Sequence, residues 1–345
     1  MNEEIKVLVA DDSSVMRLLI SDILNKEKEI NVISKVCNGK EAIAETFDNQ
    51  PDVVVMDMNM GQYGGLYAVE QIMRQKPTPI VMLSAVGNTD LSPIMKAIDL
   101  GAIDYLNKPA KSNVRIKDIS QDLVKKVKAA ANSNLELLVQ EDLKKVAAPH
   151  TFSSDLDYDV IVIGSSTGGP TAVEKVISRL PENLAVPVLI AQHMPENFIP
   201  SFASRLNRLT PLTVEVGKLG TVLQPRHVYV APGKLNMIVQ NKEGQAEIAF
   251  TKKKYKEFNY PSVDALMCSV AKVYGSKSIG VILTGMGKDG TSGITEIKKS
   301  GGFTVAQSKE TSVVFGMPRE AINSGNVDRV VAINEIGFFL VSSLN

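Results

Sequence analysis

Short apolar runs, each closing on polar residues, alternate along the chain with segments spaced as helices. Lys6–Ala10 closes on Asp11 and Asp12, and helical spacing follows from Val15 to Leu24. Val32–Val36 leads through Gly39 to a helix carrying Ala42, Ile43 and Phe47. Asp52–Met56 closes on Asp57, Pro79–Leu83 on Ser84, and Ala102–Leu106 leads to Lys108 and Pro109, with a last helix through about Ala131. Brief apolar runs bounded by turn residues fit strands buried on both faces. Five of them alternating with helices predict a doubly wound, five-stranded parallel α/β sheet with its site at the strands' carboxyl ends.

The alternation lapses over residues 132–156, NSNLELLVQEDLKKVAAPHTFSSDL, which are polar with a helical middle. That composition suits a linker, with His150 on its surface. Alternation resumes with Val160–Ile163, which runs into Gly164, Ser165, Ser166 and Thr167, then Gly168, Gly169, Pro170 and a helix from Ala172 to Leu180. Val186–Gln192 is followed by His193, the strand HVYVAPG begins at His227, and Ser278–Leu283 runs into TGMGKDGTSG and a helix over Ile294–Lys299. A chain of 345 residues is too long for one core. The expected division is an α/β domain at 1–131, a linker at 132–156 and a second, Rossmann-like α/β domain at 157–345.

Composition narrows the class without naming a chemistry. Hydrophobic residues make up 44% and charged residues 22%, ordinary for a globular protein. Basic and acidic residues number 38 each, so no overall positive field draws the chain to nucleic acid or membrane. Cys37 and Cys268 lie far apart and suit a reducing compartment. The acidic N-terminus enters a strand directly, and no apolar run approaches the ~20 residues that span a bilayer. A cytoplasmic protein with no nucleic-acid partner and no membrane insertion is the expectation. A DNA-binding regulator would need a basic helix-turn-helix after the linker, where strands and helices alternate instead.

In the first half, Asp11, Asp12 and Asp57 come from different strands and should meet in one crevice. Three close carboxylates repel one another unless a hard divalent cation lies among them, and Mg²⁺ suits that donor set and phosphoryl transfer. Asp57 ends its own strand and is the expected phosphoacceptor, with Ser84 and Lys108 on the phosphoryl oxygens. A cis bond at Lys108–Pro109 would aim the lysine.

In the second half, Gly164–Gly168 fits G-x-S-x-G, a turn that lifts a serine from a sheet as a nucleophile. A glycine loop for a nucleotide phosphate and an ordinary strand-to-helix turn are the alternatives, and a phospho-regulated nucleotide-binding module is the rival function. Of three histidines, His193 ends a strand as Ser166 does, whereas His227 begins one and would face away. Asp289, in the Gly-rich turn after a third strand, would orient the imidazole, and backbone N–H groups near Met286 would form part of an oxyanion hole.

The first half resembles response-regulator receiver domains, GAIDYLNKP at 101–109 being a recognisable stretch. The resemblance implies Mg²⁺ binding by Asp11, Asp12, Asp57 and the backbone carbonyl of Asn59, and a switch pair of Ser84 and Tyr105. Gly61 stands where that family usually has proline, which implies a more mobile loop. The second half, through IGSSTGGP, AQHMP, VYVAPG, PSVDALMCSVA, ILTGMGKDG and TSVVFGMPREAI, resembles the chemotaxis protein-glutamate methylesterases, and the two matches cover essentially the whole chain. This resemblance implies Ser166 rather than Ser165 as nucleophile, with His193, Asp289 and the N–H of Met286. It implies hydrolysis of γ-glutamyl methyl esters on chemoreceptors, often deamidation of receptor glutamines, and no cofactor for hydrolysis. It also implies activation by phosphorylation of Asp57 from the chemotaxis histidine kinase, CheA. Asn236, Tyr260 and Lys288 depart from the family pattern, in ways expected to touch binding; Lys288 would compete for Asp289 or favour an acidic substrate. The basic run at 252–256 reads as a solvated hairpin, or as a receptor-docking patch.

Overall fold

Strand-forming runs in the first unit become β1 (Ile5–Ala10), β2 (Ile30–Val36), β3 (Val53–Asp57), β4 (Ile80–Ser84) and β5 (Asp104–Asn107) in a computed structural model. It describes residues 4–84, 90–108, 116–135, 158–253, 255 and 261–344. Pro109, His150, Tyr260 and nearly all of the expected linker lie outside the described residues. By internal contacts the chain divides into two units near residue 142.

The first sheet is parallel with order β2-β1-β3-β4-β5. Val7–Ala10 and Val53–Met56 are fully buried, as expected of strands covered on both faces. Each Val, Leu and Met side chain among them contributes about 1.5–3 kcal/mol by leaving water. Helices Ser14–Leu24, Gly39–Asn49, Gly65–Gln75, Ser92–Asp99 and Ile116–Ala131 connect and follow the strands. Ser13 and Asn38 cap the first two of these, accepting from Met16 N and Glu41 N. Asp11 and Asp57 close β1 and β3, neighbouring strands at the point where the strand order reverses.

The second unit holds a seven-stranded parallel sheet built from β6 (Val160–Ser165), β7 (Val188–Gln192), β8 (Thr213–Val216), β9 (His227–Val230), β12 (Ser278–Ile282), β13 (Phe303–Gln307) and β14 (Arg329–Val331). Its order is β14-β13-β12-β6-β7-β9-β8, so β6 lies between β12 and β7. The three strands expected to carry chemistry are therefore side by side at the middle of the sheet. β7 starts at Val188 rather than Val186 because Pro187 has no N–H to give a ladder; its carbonyl still accepts from Ile161 N.

The hairpin is β10 (Asn236–Lys242) with β11 (Gln245–Thr251), turning at Glu243 and Gly244, both at positive φ. This corrects the sequence reading, since Lys252 and Lys253 follow the hairpin rather than form it. The hairpin is also no solvated appendage: Met237, Val239 and Ile248 are buried, and Val239 N donates to Ser269 Oγ on helix Val263–Tyr274. No helix among the described residues is long and apolar enough to cross a membrane.

Candidate active site

The adjacent serines meet different fates. Ser165 is the last residue of β6 and pairs in register with Gln192, the last of β7. Its side chain is completely buried and donates to Gln192 Oε1 at 2.6 Å, which withholds it from both nucleophilic attack and a phosphate. Ser166 is the next residue, half-buried, just past the end of the sheet. On the neighbouring strand the next residue is His193, whose N–H donates to Ser165 O at 3.0 Å. Register thus sets Ser166 beside His193, and Gln192 locks the pair. Its Nε2 donates to the carbonyls of Ser166 and His193, each at 2.9 Å.

His193 Nε2 meets Asp289 Oδ2 at 2.8 Å. With Nε2 donating to the carboxylate, Nδ1 is the nitrogen that can take a serine proton, the reverse of the assignment in the chymotrypsin-type triad. Asp289 is buried, yet its carboxyl lies below the ordinary carboxylate range. Burial pushes it up, and the bond and charge of His193 with backbone N–H donors outweigh that. Those donors are Val263 N on Oδ2 at 2.8 Å and Asp264 N on Oδ1 at 2.9 Å, joined by Ser262 Oγ on Oδ1 at 3.1 Å. The carboxylate therefore sits on the N-terminus of helix Val263–Tyr274, where N–H groups and the helix dipole favour negative charge.

On the other flank Ser166 N donates to Thr284 O at 3.0 Å, joining the turn after β6 to the turn after β12. Gly285 follows, and a Cβ there would lie 2.8 Å from that of Ser166, so only glycine permits this approach. The carbonyl of Gly285 accepts from Gly316 N and Met317 N, which ties the TSVVFGMPREAI stretch to the turn. Met286 N–H pairs with no backbone carbonyl among the described residues, and Gly287 beyond it takes φ +84. His227 begins β9, stacks on Tyr229 and bonds through Nδ1 to Pro225 O, apart from this group as its strand position implied.

One departure from the family pattern has another role than binding. Asn236 is fully buried; its Nδ2 donates to Lys253 O at 3.0 Å and its Oδ1 accepts from Ser262 N at 2.8 Å. It braces the residue that bonds Asp289, which corrects its reading as a binding position. Lys288 is exposed, next to an Asp289 carboxylate that His193, Ser262 and two backbone donors already occupy. Of the basic run, Lys252 and Lys253 are exposed, and Lys253 Nζ lies 5.4 Å from the Tyr255 ring centroid.

The acid pocket of the first unit assembles as its strand ends dictate. Carboxylate oxygens of Asp11, Asp12 and Asp57 lie within 4.8 Å of one another, the first and last buried. Lys108 Nζ bridges Asp11 Oδ2 at 2.8 Å and Asp57 Oδ2 at 2.7 Å, and Lys108 N donates to Ser84 O at 2.7 Å. Ser13 N holds Asp11 Oδ1 at 2.9 Å, and Asn59 N–H faces Asp57. Burial raises Asp57 above the ordinary carboxylate range; Lys108 opposes this, the charge of Asp11 adds to it, and the net shift stays upward. Burial opposes the charge of Lys108, but its two carboxylates outweigh that and raise it. An oxygen-rich, partly buried set with surplus negative charge fits a hard divalent cation. Tyr105 is buried, with Lys126 Nζ over its ring at 5.9 Å, and Ser84 is buried at the end of β4.

Gly61 opens a single 3-10 turn after β3 with φ +67, a conformation closed to proline. The substitution there is thus tied to a different local backbone and not only to a lost constraint.

An acid-pocket α/β unit followed by a parallel α/β unit with serine, histidine and aspartate at adjoining strand ends defines a hydrolase with a phosphorylation-type regulatory unit. Residues 161–340 match the family model for the CheB methylesterase, and residues 7–120 match that for the response regulator receiver domain. The chain is 38% identical to the protein-glutamate methylesterase/protein-glutamine glutaminase of Pyrococcus horikoshii, covering 97% of this chain and 92% of that protein. The like-named protein of Methanococcoides burtonii is 41% identical, with 96% and 95% covered. The solved CheB methylesterase catalytic domain of Thermotoga maritima is 40% identical over 54% of this chain and 98% of its own, with a TM-score of 0.52. The chain belongs to the CheB methylesterase family, with a receiver domain in front.

Proposed function

We propose that this chain is a phosphorylation-activated protein-glutamate methylesterase acting on methyl-accepting chemoreceptors, with Ser166 as nucleophile, His193 as general base and Asp289 as its orienting acid. The observation that carries the reading is the 2.8 Å bond from His193 to buried Asp289 next to a half-buried serine on the adjoining strand end. Ser166 Oγ attacks the ester carbonyl while His193 Nδ1 takes its proton. The N–H of Met286 faces the oxyanion. The C–OCH₃ bond breaks, His193 returns the proton to the departing methoxide, and methanol leaves. Water then attacks the acyl-serine as His193 takes its proton, the acyl–Oγ bond breaks, His193 returns the proton to Ser166 Oγ, and the glutamate carboxylate leaves. The same steps on a glutamine side chain release ammonia, in line with the double name of the relatives.

In the receiver, Asp57 takes the phosphoryl group from a chemotaxis histidine kinase, CheA, while Lys108 and Ser84 hold its oxygens and Tyr105 serves with Ser84 as switch pair. Mg²⁺, held by Asp11, Asp12, Asp57 and the carbonyl of Asn59, would neutralise charge on the phosphoryl oxygens. The esterase residues need no cofactor for the steps above, and the protein works in the cytoplasm, where receptor methylation sites are reached.

The test is product release from methylated chemoreceptor membranes by the wild type and by Ser166→Ala. Methanol from the wild type alone supports the reading. Ammonia without methanol keeps the site and changes the substrate, and equal release from both proteins removes Ser166 from the chemistry.

A further inference from the structure

Asp289 and Asp264 hold each other's helices. Asp289 accepts from Ser262 Oγ, Val263 N and Asp264 N at the start of helix Val263–Tyr274. Asp264, on the first turn of that helix, accepts through Oδ1 from Gly290 N at 2.9 Å and Gly293 N at 2.8 Å. Those two N–H groups open helix Thr291–Lys299, which starts two residues after Asp289. Ser292 adds a side-chain bond to Asp264. The result is a closed ring of bonds in which each acid fixes the segment that carries the other.

Hydrogen bonding alone does not call for a carboxylate at 264. Asparagine would accept the same two bonds through Oδ1, and its amide could donate to the Ser292 hydroxyl. The carboxylate is moreover a costly choice: burial, and then the charge of Asp289, push Asp264 up to about 6. Among the described residues, Cys268, one turn along the same helix, and Tyr255 from the preceding segment also feel its charge. Burial, and then the charge of Asp264, push the Cys268 thiol up to about 12, so it stays neutral and adds no second negative charge beside Asp264. Repulsion between the two carboxylates is mutual. The charge of Asp264 makes Asp289 a more basic partner, and a more basic Asp289 holds the imidazolium formed during serine attack more tightly.

We propose that Asp264 is a positioning residue of the triad, which fixes Asp289 through the reciprocal caps and strengthens the bond of Asp289 to His193 through its own negative charge. This rests on the serine-hydrolase reading given above.

The test uses the full-length protein as wild type, Asp264→Asn, Asp264→Ala and Ser166→Ala. It measures kcat and KM for methanol release across pH 5–9, with melting temperatures at pH 5 and pH 8. Asp264→Asn should lower kcat about tenfold at unchanged KM, because the imidazolium formed during serine attack is held less tightly. Its acid limb of kcat/KM should move to lower pH, and at pH 8 it should melt no lower than the wild type. Asp264→Ala should lose the cap as well and melt lower at both pH values. An Asp264→Asn protein with wild-type kcat and an unmoved acid limb would reduce Asp264 to a helix cap and overturn the inference. A wild type no more active than Ser166→Ala would overturn the hydrolase reading, and this inference with it.

Discussion

Asp57 and Asp289 are both buried aspartates at the carboxyl-end rim of a parallel sheet, and their proton affinities move in opposite directions. Asp57 has one cationic partner, Lys108, which it shares with Asp11, and its carboxyl is raised. Asp289 has His193, a hydroxyl and two helix N-terminal N–H groups, and its carboxyl is lowered. Burial pushes both up; the donors on Asp289 overturn that, whereas Lys108 on Asp57, opposed by the charge of Asp11, does not. An acid left short of donors is suited to receive a cation and a phosphoryl group. An acid saturated with donors stays charged and still, which suits a residue that orients a base.

The largest contrast predicted is between the neighbouring serines. Ser166→Ala should cut methanol release by about 10⁴–10⁶-fold. Ser165→Ala removes one buried hydrogen bond and should cost about 1 kcal/mol of stability while keeping measurable turnover. Comparable losses from both would show that the inward turn of Ser165 does not separate their roles.

The two acids themselves come next. Asp289→Asn should lower kcat by about 10⁴-fold, because the imidazole loses the partner that fixes its tautomer. In Asp57→Asn a small phosphodonor with Mg²⁺ should no longer raise the rate of methanol release. Retained stimulation in Asp57→Asn would move the phosphoacceptor elsewhere.

Stability should separate the acids as well. Asp57, raised, destabilises the folded unit as pH climbs from the ordinary carboxylate value through its own. Asp289, lowered, contributes stability above the ordinary value that is lost as pH falls through its depressed one. Adding Mg²⁺ near neutral pH should raise the melting temperature as it adds about 2.7 kcal/mol of stability at a hundred times Kd, and Asp12→Asn should blunt the gain. An equal Mg²⁺ effect in Asp12→Asn would place the cation away from the acid pocket. The smallest effect is at Gly61, where alanine at φ +67 should cost about 1–2 kcal/mol in thermal unfolding. A neutral Gly61→Ala would mean that the turn relaxes.

The residues legible in the sequence are those whose position follows from strand periodicity: Asp11, Asp57, Ser84 and Lys108 in one sheet, Ser166 and His193 in the other. A buried strand ends where apolar residues end, and neighbouring strand ends in a doubly wound sheet converge. The fold was legible for the same reason, apart from details set by single residues, such as Pro187 delaying β7. What supports the proposed triad was not legible, because it depends on contacts between residues far apart in the chain. Ser262, Val263 and Asp264 reach Asp289 across 25–27 positions, and Asn236 reaches Ser262 across 26. A signal for part of it stands in PSVDALMCSVA, where Ser262 before a helical run marks an N-cap; its hydroxyl accepts from Ala265 N. Gln192, a polar residue closing an otherwise apolar strand just before His193, was a second such signal.

Control of the donor-rich serine, histidine and aspartate of the second unit by a donor-poor aspartate in the first is the core of the proposed function. Its most direct test is the initial rate of methanol release from methylated chemoreceptor membranes, with and without Mg²⁺ and a small phosphodonor, for wild type and Asp57→Asn. Stimulation is expected in the wild type and none in Asp57→Asn. Methanol release that ignores the phosphodonor in both proteins, or answers it equally in both, would contradict it.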